Sequence, residues 1–252
     1  MKGVREAFNQ FIFEHDAQDK AQVDVGNELK KMLSLRFKSN APRRPPRVIV
    51  LGPPGSGRET QSELIAQQFG LVHISARQLL KAEIQKNPQT GKIISACFDE
   101  GKDIPDEIIN PLIEKRLKQS DCRVNGWVME GFPYSKAQVN LLKAVRVKPS
   151  IVFIFEATED ESARRLGNRR VDPTTGAIYN LEVNPPSDEA TSSRLIEMVQ
   201  DSDEVVRKAY NNMKEKLIML EEAYRPVVQN VQSERTIEEM NEHLADAITN
   251  PL

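Results

Sequence analysis

Residues 52–60 read GPPGSGRET and directly follow the apolar run Val48-Ile49-Val50-Leu51. A strand, a glycine-rich turn and a helix form the geometry in which backbone N–H groups and the positive end of a helix converge on phosphate. Gly52, Gly55 and Gly57 take the glycine positions of such a turn, with Pro53 and Ser56 between them. In the pattern GxxxxGK[ST] the lysine reaches the terminal phosphates and the following hydroxyl assists magnesium. Here those two positions are Arg58 and Glu59, and Thr60 comes next. Arg58 keeps the positive charge but carries it on a bulkier planar fork. Glu59 adds a carboxylate that repels polyphosphate unless it points away from it or toward a metal.

The elements that must position this loop are legible from periodicity. Short apolar runs at Val48–Leu51, Leu71–His73, Trp127–Met129, Ile151–Phe155 and Val227–Val231 alternate with longer amphipathic stretches, the rhythm of a parallel α/β sheet. Val206, Tyr210, Met213, Leu217, Leu220 and Tyr224 recur at helical spacing and predict one core-facing stripe. Thr236 and Glu239 predict a capping box for a last helix that buries Ile237, Met240, Leu244 and Ile248. Toward the N-terminus, two helical patterns, around Val4, Phe8 and Phe11 and around Leu29, Met32 and Leu33, precede APRRPPR at 41–47, which predicts an extended linker.

Composition narrows the function classes. A chain of 252 residues with net charge −2 supports one large domain plus a helical extension and has no global basic field for nucleic acid or an anionic membrane. Cys97 and Cys122 stand alone, which argues against a disulfide framework and against zinc. His15, His73 and His243 have no metal-ligand spacing, so no metal-binding residues are expected. The first twenty residues are amphipathic and interrupted by acids, unlike a signal peptide, and nothing later reaches a membrane-spanning length. The expectation is a soluble intracellular protein.

The loop resembles the GxPGxGKGT signature of adenylate kinases. Further stretches match that family in order: ISARQLL at 74–80 resembles ISTGDLL, GKII at 91–94 and GKDIPDEII at 101–109 resemble the later part of the same segment, and EGFPYSKAQ at 130–138 resembles DGFPRTxxQ. RRLGNRRVDPTTGAIYNLEVNPP at 164–186 resembles the family's mobile lid. The DC-x-x-NGW pattern at 121–127, the lid and the ending TNPL look most like the multi-domain adenylate kinases of ciliary and flagellar axonemes.

The resemblance implies a P-loop NTPase-type α/β fold, a five-stranded parallel sheet with helices on both faces. It implies a monophosphate-binding insertion at about 74–105 and a lid at about 168–193, within a kinase-like domain at 46–252 after an extension and linker at 1–45. ATP with magnesium is the implied ligand, held by Gly52, Pro53, Gly55, Ser56, Gly57, Arg58 and Thr60. By position, Arg165 resembles the arginine that stacks on the ATP base and Arg169 one that reaches the phosphates, and Arg194 and Arg207 resemble the pair that close over the transferring group. AMP is implied as the second nucleotide, facing Ser75, Lys81, Gly131, Tyr134 and Gln138. That side departs from the family pattern: Ala76 replaces a threonine, Lys81 and Tyr134 replace arginines, and Glu130 replaces the acid of the GFP stretch.

Two functions remain open at this point. One is an active nucleoside monophosphate kinase converting ATP and AMP to two ADP. The other is a nucleotide-binding domain, weak or inactive in phosphoryl transfer, with a structural or regulatory role among axonemal or microtubule-associated proteins, reached through residues 1–45 or neighbouring domains. A P-loop transporter or GTPase lacks a base-recognition motif here and does not fit the lid. The resemblance places the protein in the cytoplasm or the axoneme.

Overall fold

A computed structural model describes residues 45–250. The N-terminal helices expected around Val4–Phe11 and Leu29–Leu33 lie outside the described residues. Five parallel strands, β1 (Arg47–Leu51), β2 (Val72–Ser75), β3 (Trp127–Glu130), β4 (Ile151–Glu156) and β7 (Val228–Gln232), form one sheet in the order β2-β3-β1-β4-β7. The short strands β5 (Arg169–Val171) and β6 (Ile178–Asn180) pair antiparallel as a separate hairpin. The helices are α1 (Arg58–Phe69), α2 (Ala76–Lys86), α3 (Pro88–Asp99), α4 (Asp106–Leu117), α5 (Ser120–Asn125), α6 (Lys136–Ala144), α7 (Glu159–Gly167), α8 (Glu189–Arg194), α9 (Asp203–Ala223) and α10 (Ile237–Thr249).

Each of the five apolar runs becomes a sheet strand, because Val, Ile and aromatic side chains fit a pleated surface covered on both faces. Along β1 the alternation decides the face: Ile49 and Leu51 enter one core with Leu80, Ile113, Leu142 and Leu220, and Val48 and Val50 enter the other with Ile65, Leu244 and Ile248. Two strand starts shift by one residue for a local reason. The Leu71 N–H donates to the Ala66 carbonyl and the Val227 N–H to the Tyr224 carbonyl, so each residue closes the preceding helix before its strand begins. The stripe on α9 faces inward with Val206, Leu220 and Tyr224 buried, and the capping box of Thr236 and Glu239 is formed. Ile237 departs from expectation: it is 48% exposed in the first turn of α10, where its carbonyl accepts from Gln61 Nε2 at 2.8 Å.

The DC-x-x-NGW pattern has a structural explanation. Asp121 takes a two-pronged ion pair from Arg116 at 3.0 and 2.9 Å, and buried Cys122 donates its N–H to the same carboxylate at 2.8 Å. Gly126 then turns at φ +75°, where an added Cβ would lie 2.2 Å from the Pro46 carbonyl oxygen. Only glycine lets the chain enter β3 this close to β1.

Strand register brings the chemistry to one edge. Glu130 lies level with Val50 on one side and Ser75 on the other, so the start of the glycine loop, the end of β2 and the end of β3 stand abreast at the carboxyl edge. Ligands of open parallel sheets bind at this edge, where helix N-termini and strand exits converge. The segment expected as a lid holds the β5/β6 hairpin and α8, tied by a bridge between Val171 and Ile196.

Candidate nucleotide-binding site

The glycine loop leaves β1 at the sheet edge and enters α1. Gly52 is required by close approach as well as by its φ of +151°: an added Cβ would stand 2.8 Å from both the Cβ and the carbonyl oxygen of Phe155. Pro53 and Ser56 are buried, and Gly55 and Gly57 adopt φ +72° and +87°. Gly57 is the N-cap of α1 and supplies no side-chain acceptor, so the first N–H groups of that helix are left for an anion. Thr60 is exposed on the first turn.

Arg58 opens α1 and donates to the Tyr134 hydroxyl, with its guanidinium carbon 5.8 Å from the centre of that ring. Burial pushes this guanidinium below its ordinary range, and the nearby Glu130 carboxylate opposes the shift. Glu130 is itself buried, and its Oε1 has no hydrogen-bond partner among the described residues.

On the other side of the edge, Ser75 caps α2 by accepting from the Gln78 N–H at 3.2 Å. Gly131 packs against Ala76, where an added Cβ would be 3.1 Å from the alanine Cβ. Gln138 is buried and its amide is used at both ends: the oxygen accepts from the Tyr134 N–H at 2.6 Å, and the nitrogen donates to Asp106 Oδ1 at 2.6 Å. Lys81 is exposed on α2.

The other arginines hold carboxylates. Arg165 donates to Glu161 at 2.5 Å and also to the Gly55 and Ser233 carbonyls at 3.3 and 2.7 Å, joining the loop to the exit of β7. Arg169 clasps buried Asp201 with both ends of its fork, one bond measuring 2.7 Å. Arg194 pairs with Asp172 at 2.9 and 2.8 Å, and Arg207 lies among Asp203, Asp160 and Glu159. The structure therefore brings Arg58, Arg165, Tyr134 and Gln138 to the loop and its neighbouring strand exit, and it engages Arg194 with the acid after β5 and Arg207 with acids of α7 and α9.

One residue of this site escaped the sequence reading. Arg77, in the first turn of α2, stacks on Phe98 with its guanidinium carbon 5.5 Å from the ring centre and donates to Gln200 Oε1 at 3.2 Å. Burial and then the Arg169 charge push its guanidinium below the ordinary range, while Glu59, Glu130 and Asp201 oppose this. The signal lay in the sequence, since Arg77 stands where the ISTGDLL pattern has glycine. A carboxyl edge with free backbone donors at one end and arginines around it can hold polyanions by position and charge, without a covalent nucleophile. Among the described residues no group of three or more His, Cys, Asp or Glu stands together as a metal cluster, and no helix is long and apolar enough to cross a membrane.

Comparison with known proteins agrees with this architecture. The family model described as "Adenylate kinase" matches residues 50–231. The chain is 33% identical over 208 residues to "Probable adenylate kinase 2, chloroplastic" of Oryza sativa subsp. japonica, covering 82% of this chain and 72% of that one. It is 34% identical over 194 residues to "Adenylate kinase, chloroplastic" of Zea mays, covering 77% and 87%. It is 31% identical over 234 residues to "Adenylate kinase 8" of Homo sapiens, covering 93% of this chain and 48% of that protein, about half its length. With sheet order, loop and extended sequence match in agreement, the chain belongs to the adenylate kinase family.

Proposed function

We propose that this chain is a nucleotide-binding adenylate kinase domain that holds ATP on the glycine loop and transfers its phosphoryl group to AMP slowly. The observation that carries the reading is the engagement of Arg58, the loop's only side-chain cation, with the Tyr134 hydroxyl. Backbone donors do not depend on side-chain identity, so the uncapped start of α1 supports binding. Transfer depends on cations placed on the moving phosphoryl group, and each misplaced one costs on the order of 10²–10³ in rate. Glu59 brings an acid to the same turn, and Tyr134 offers a neutral hydroxyl where a planar cation would form two charged hydrogen bonds.

Adenylate kinases use ATP with magnesium, and the residues here fit that ion: Glu130, with its unpartnered buried oxygen at the end of β3, is the carboxylate that would face its hydration shell. The ion would supply charge neutralisation at the phosphates. Arg165, between the loop and Ser233, is the side chain for the base end of ATP, and Arg169 for its phosphates. The resemblance to axonemal multi-domain relatives supports a structural or regulatory role for the bound state in such an assembly, with residues 1–45 or neighbouring domains as the contact. Calorimetry with Mg-ATP and a coupled ADP-formation assay with Mg-ATP and AMP test the reading. Saturable ATP binding with turnover far below 1 per second is expected, and turnover at roughly 1–100 per second establishes the active kinase instead.

A further inference from the structure

The arginines gathered at the sheet edge and lid divide into two classes. Arg165, Arg169, Arg194 and Arg207 each hold a carboxylate. Arg58 and Arg77 do not: among the described residues, Arg58 bonds a phenol and Arg77 a neutral amide, and each lies on an aromatic ring, Tyr134 for one and Phe98 for the other. Of these two partly buried guanidiniums, Arg58 lies in the field of Arg77, and Arg77 lies in the field of Arg169. Like charges held together away from bulk water are unfavourable until an anion arrives between them. Glu59, Glu130 and Asp201 lower that cost, but Asp201 is already clasped by Arg169, and neither glutamate makes an ion pair with Arg77.

Position says which anion. Arg77 sits one residue beyond Ala76, which packs on Gly131 at the exit of β3, so it belongs to the acceptor side of the edge, opposite the glycine loop. Lys81, one helical turn later, is exposed. Phe98 and Gln200 hold the Arg77 fork by its face and one end, which leaves its other N–H groups for a ligand.

We propose that Arg77 is the residue of this chain that grips the phosphate of the acceptor nucleoside monophosphate, taking over from the positions of Lys81 and Tyr134. The proposal rests on the nucleotide-binding reading above. It gives the acceptor side a cation drawn from α2 and tied through Gln200 to the segment that leads into α9. A ligand without a phosphate gains nothing from it, so Arg77 discriminates AMP from adenosine.

The test is calorimetry on the full chain with AMP, adenosine and Mg-ATP, each titrated alone, for the wild type, Arg77→Ala, Arg77→Gln and Arg77→Lys, with folding checked by circular dichroism. Arg77→Ala is expected to weaken AMP about 10- to 100-fold, the scale of a lost charge-assisted contact, and to leave adenosine and Mg-ATP within about threefold. Arg77→Lys recovers part of the loss. Arg77→Gln keeps a polar side chain without charge and carries the test if the alanine variant does not fold. Unchanged AMP affinity in Arg77→Ala and Arg77→Gln, an equal loss for AMP and adenosine, or wild type that binds AMP no more tightly than adenosine overturns the proposal. Failure of Mg-ATP to bind the wild type overturns the underlying reading instead, and the AMP titration then stands as its own measure of Arg77.

Discussion

Arg58, the first residue after the glycine loop, and Tyr134, in the turn after β3, are 76 residues apart in sequence and joined side chain to side chain across the sheet edge. By the family resemblance, the pair stands where the adenylate kinase patterns have a loop lysine and the arginine of DGFPR. Replacing Arg58→Lys, Glu59→Gly and Tyr134→Arg together is expected to raise kcat for ADP formation by at least about 10²-fold, since each restored contact acts on the transferring group. A folded triple variant with wild-type turnover would place the deficit elsewhere, and the engaged pair Arg194 and Arg207 would be the next site to change.

Gly52 is constrained from two sides, by its backbone angle and by Phe155. Gly52→Ala forces the loop or β4 to move and is expected to destabilise the fold by about 1–3 kcal/mol, the scale of core overpacking. Thermal melting followed by circular dichroism reads this, and Mg-ATP affinity should fall in the same variant.

The pair formed by Asp172 and Arg194 gives the β5/β6 segment a defined acid limit. Hydrogen bonds from Arg194, with those from the Thr174 N–H and the Thr175 hydroxyl, hold the Asp172 carboxyl well below the usual carboxylate range. A carboxyl depressed in the folded state contributes stability that is complete above its unfolded value of about 3.9 and is lost as pH falls below it toward the folded value. The amide resonances of 169–180 should therefore stay in place through about pH 4, where an ordinary aspartate titrates, and move only at markedly lower pH, while stability read by denaturant titration already starts to fall below about pH 4. In Arg194→Ala these resonances should already differ at neutral pH, because Asp172 then loses its charged partner.

Tyr224, at the end of α9, carries a buried hydroxyl with no hydrogen-bond partner among the described residues, and burial pushes its pKa up to about 12. Tyr224→Phe removes an unsatisfied polar atom and keeps the ring, so it is expected to be neutral or stabilising by up to about 1 kcal/mol. Because the folded value is raised, the wild type loses stability as pH rises above the unfolded value of about 10, and the phenylalanine variant should lose less over that range. Denaturant titrations at two pH values compare them.

The sequence by itself determined what depends on neighbours along the chain. Alternation and β-branching set the five strands, Gly52, Gly55 and Gly57 set the loop, and Thr236 with Glu239 set the start of α10, because each is a local steric or hydrogen-bonding requirement. The strand starts at Leu71 and Val227 slipped by one residue where a helix closure competed for the same N–H. Which arginines meet a carboxylate and which meet a neutral group was decided by the tertiary structure alone. Arg77 meets Gln200 across 123 residues, Arg165 meets Ser233 across 68, and Arg169 meets Asp201 across 32. A guanidinium on a helix has the same local propensity whether it ends on a carboxylate, an amide or an aromatic ring. Only the crossovers that bring α2, the β5/β6 segment and the exit of β7 to one edge of the sheet select among those partners.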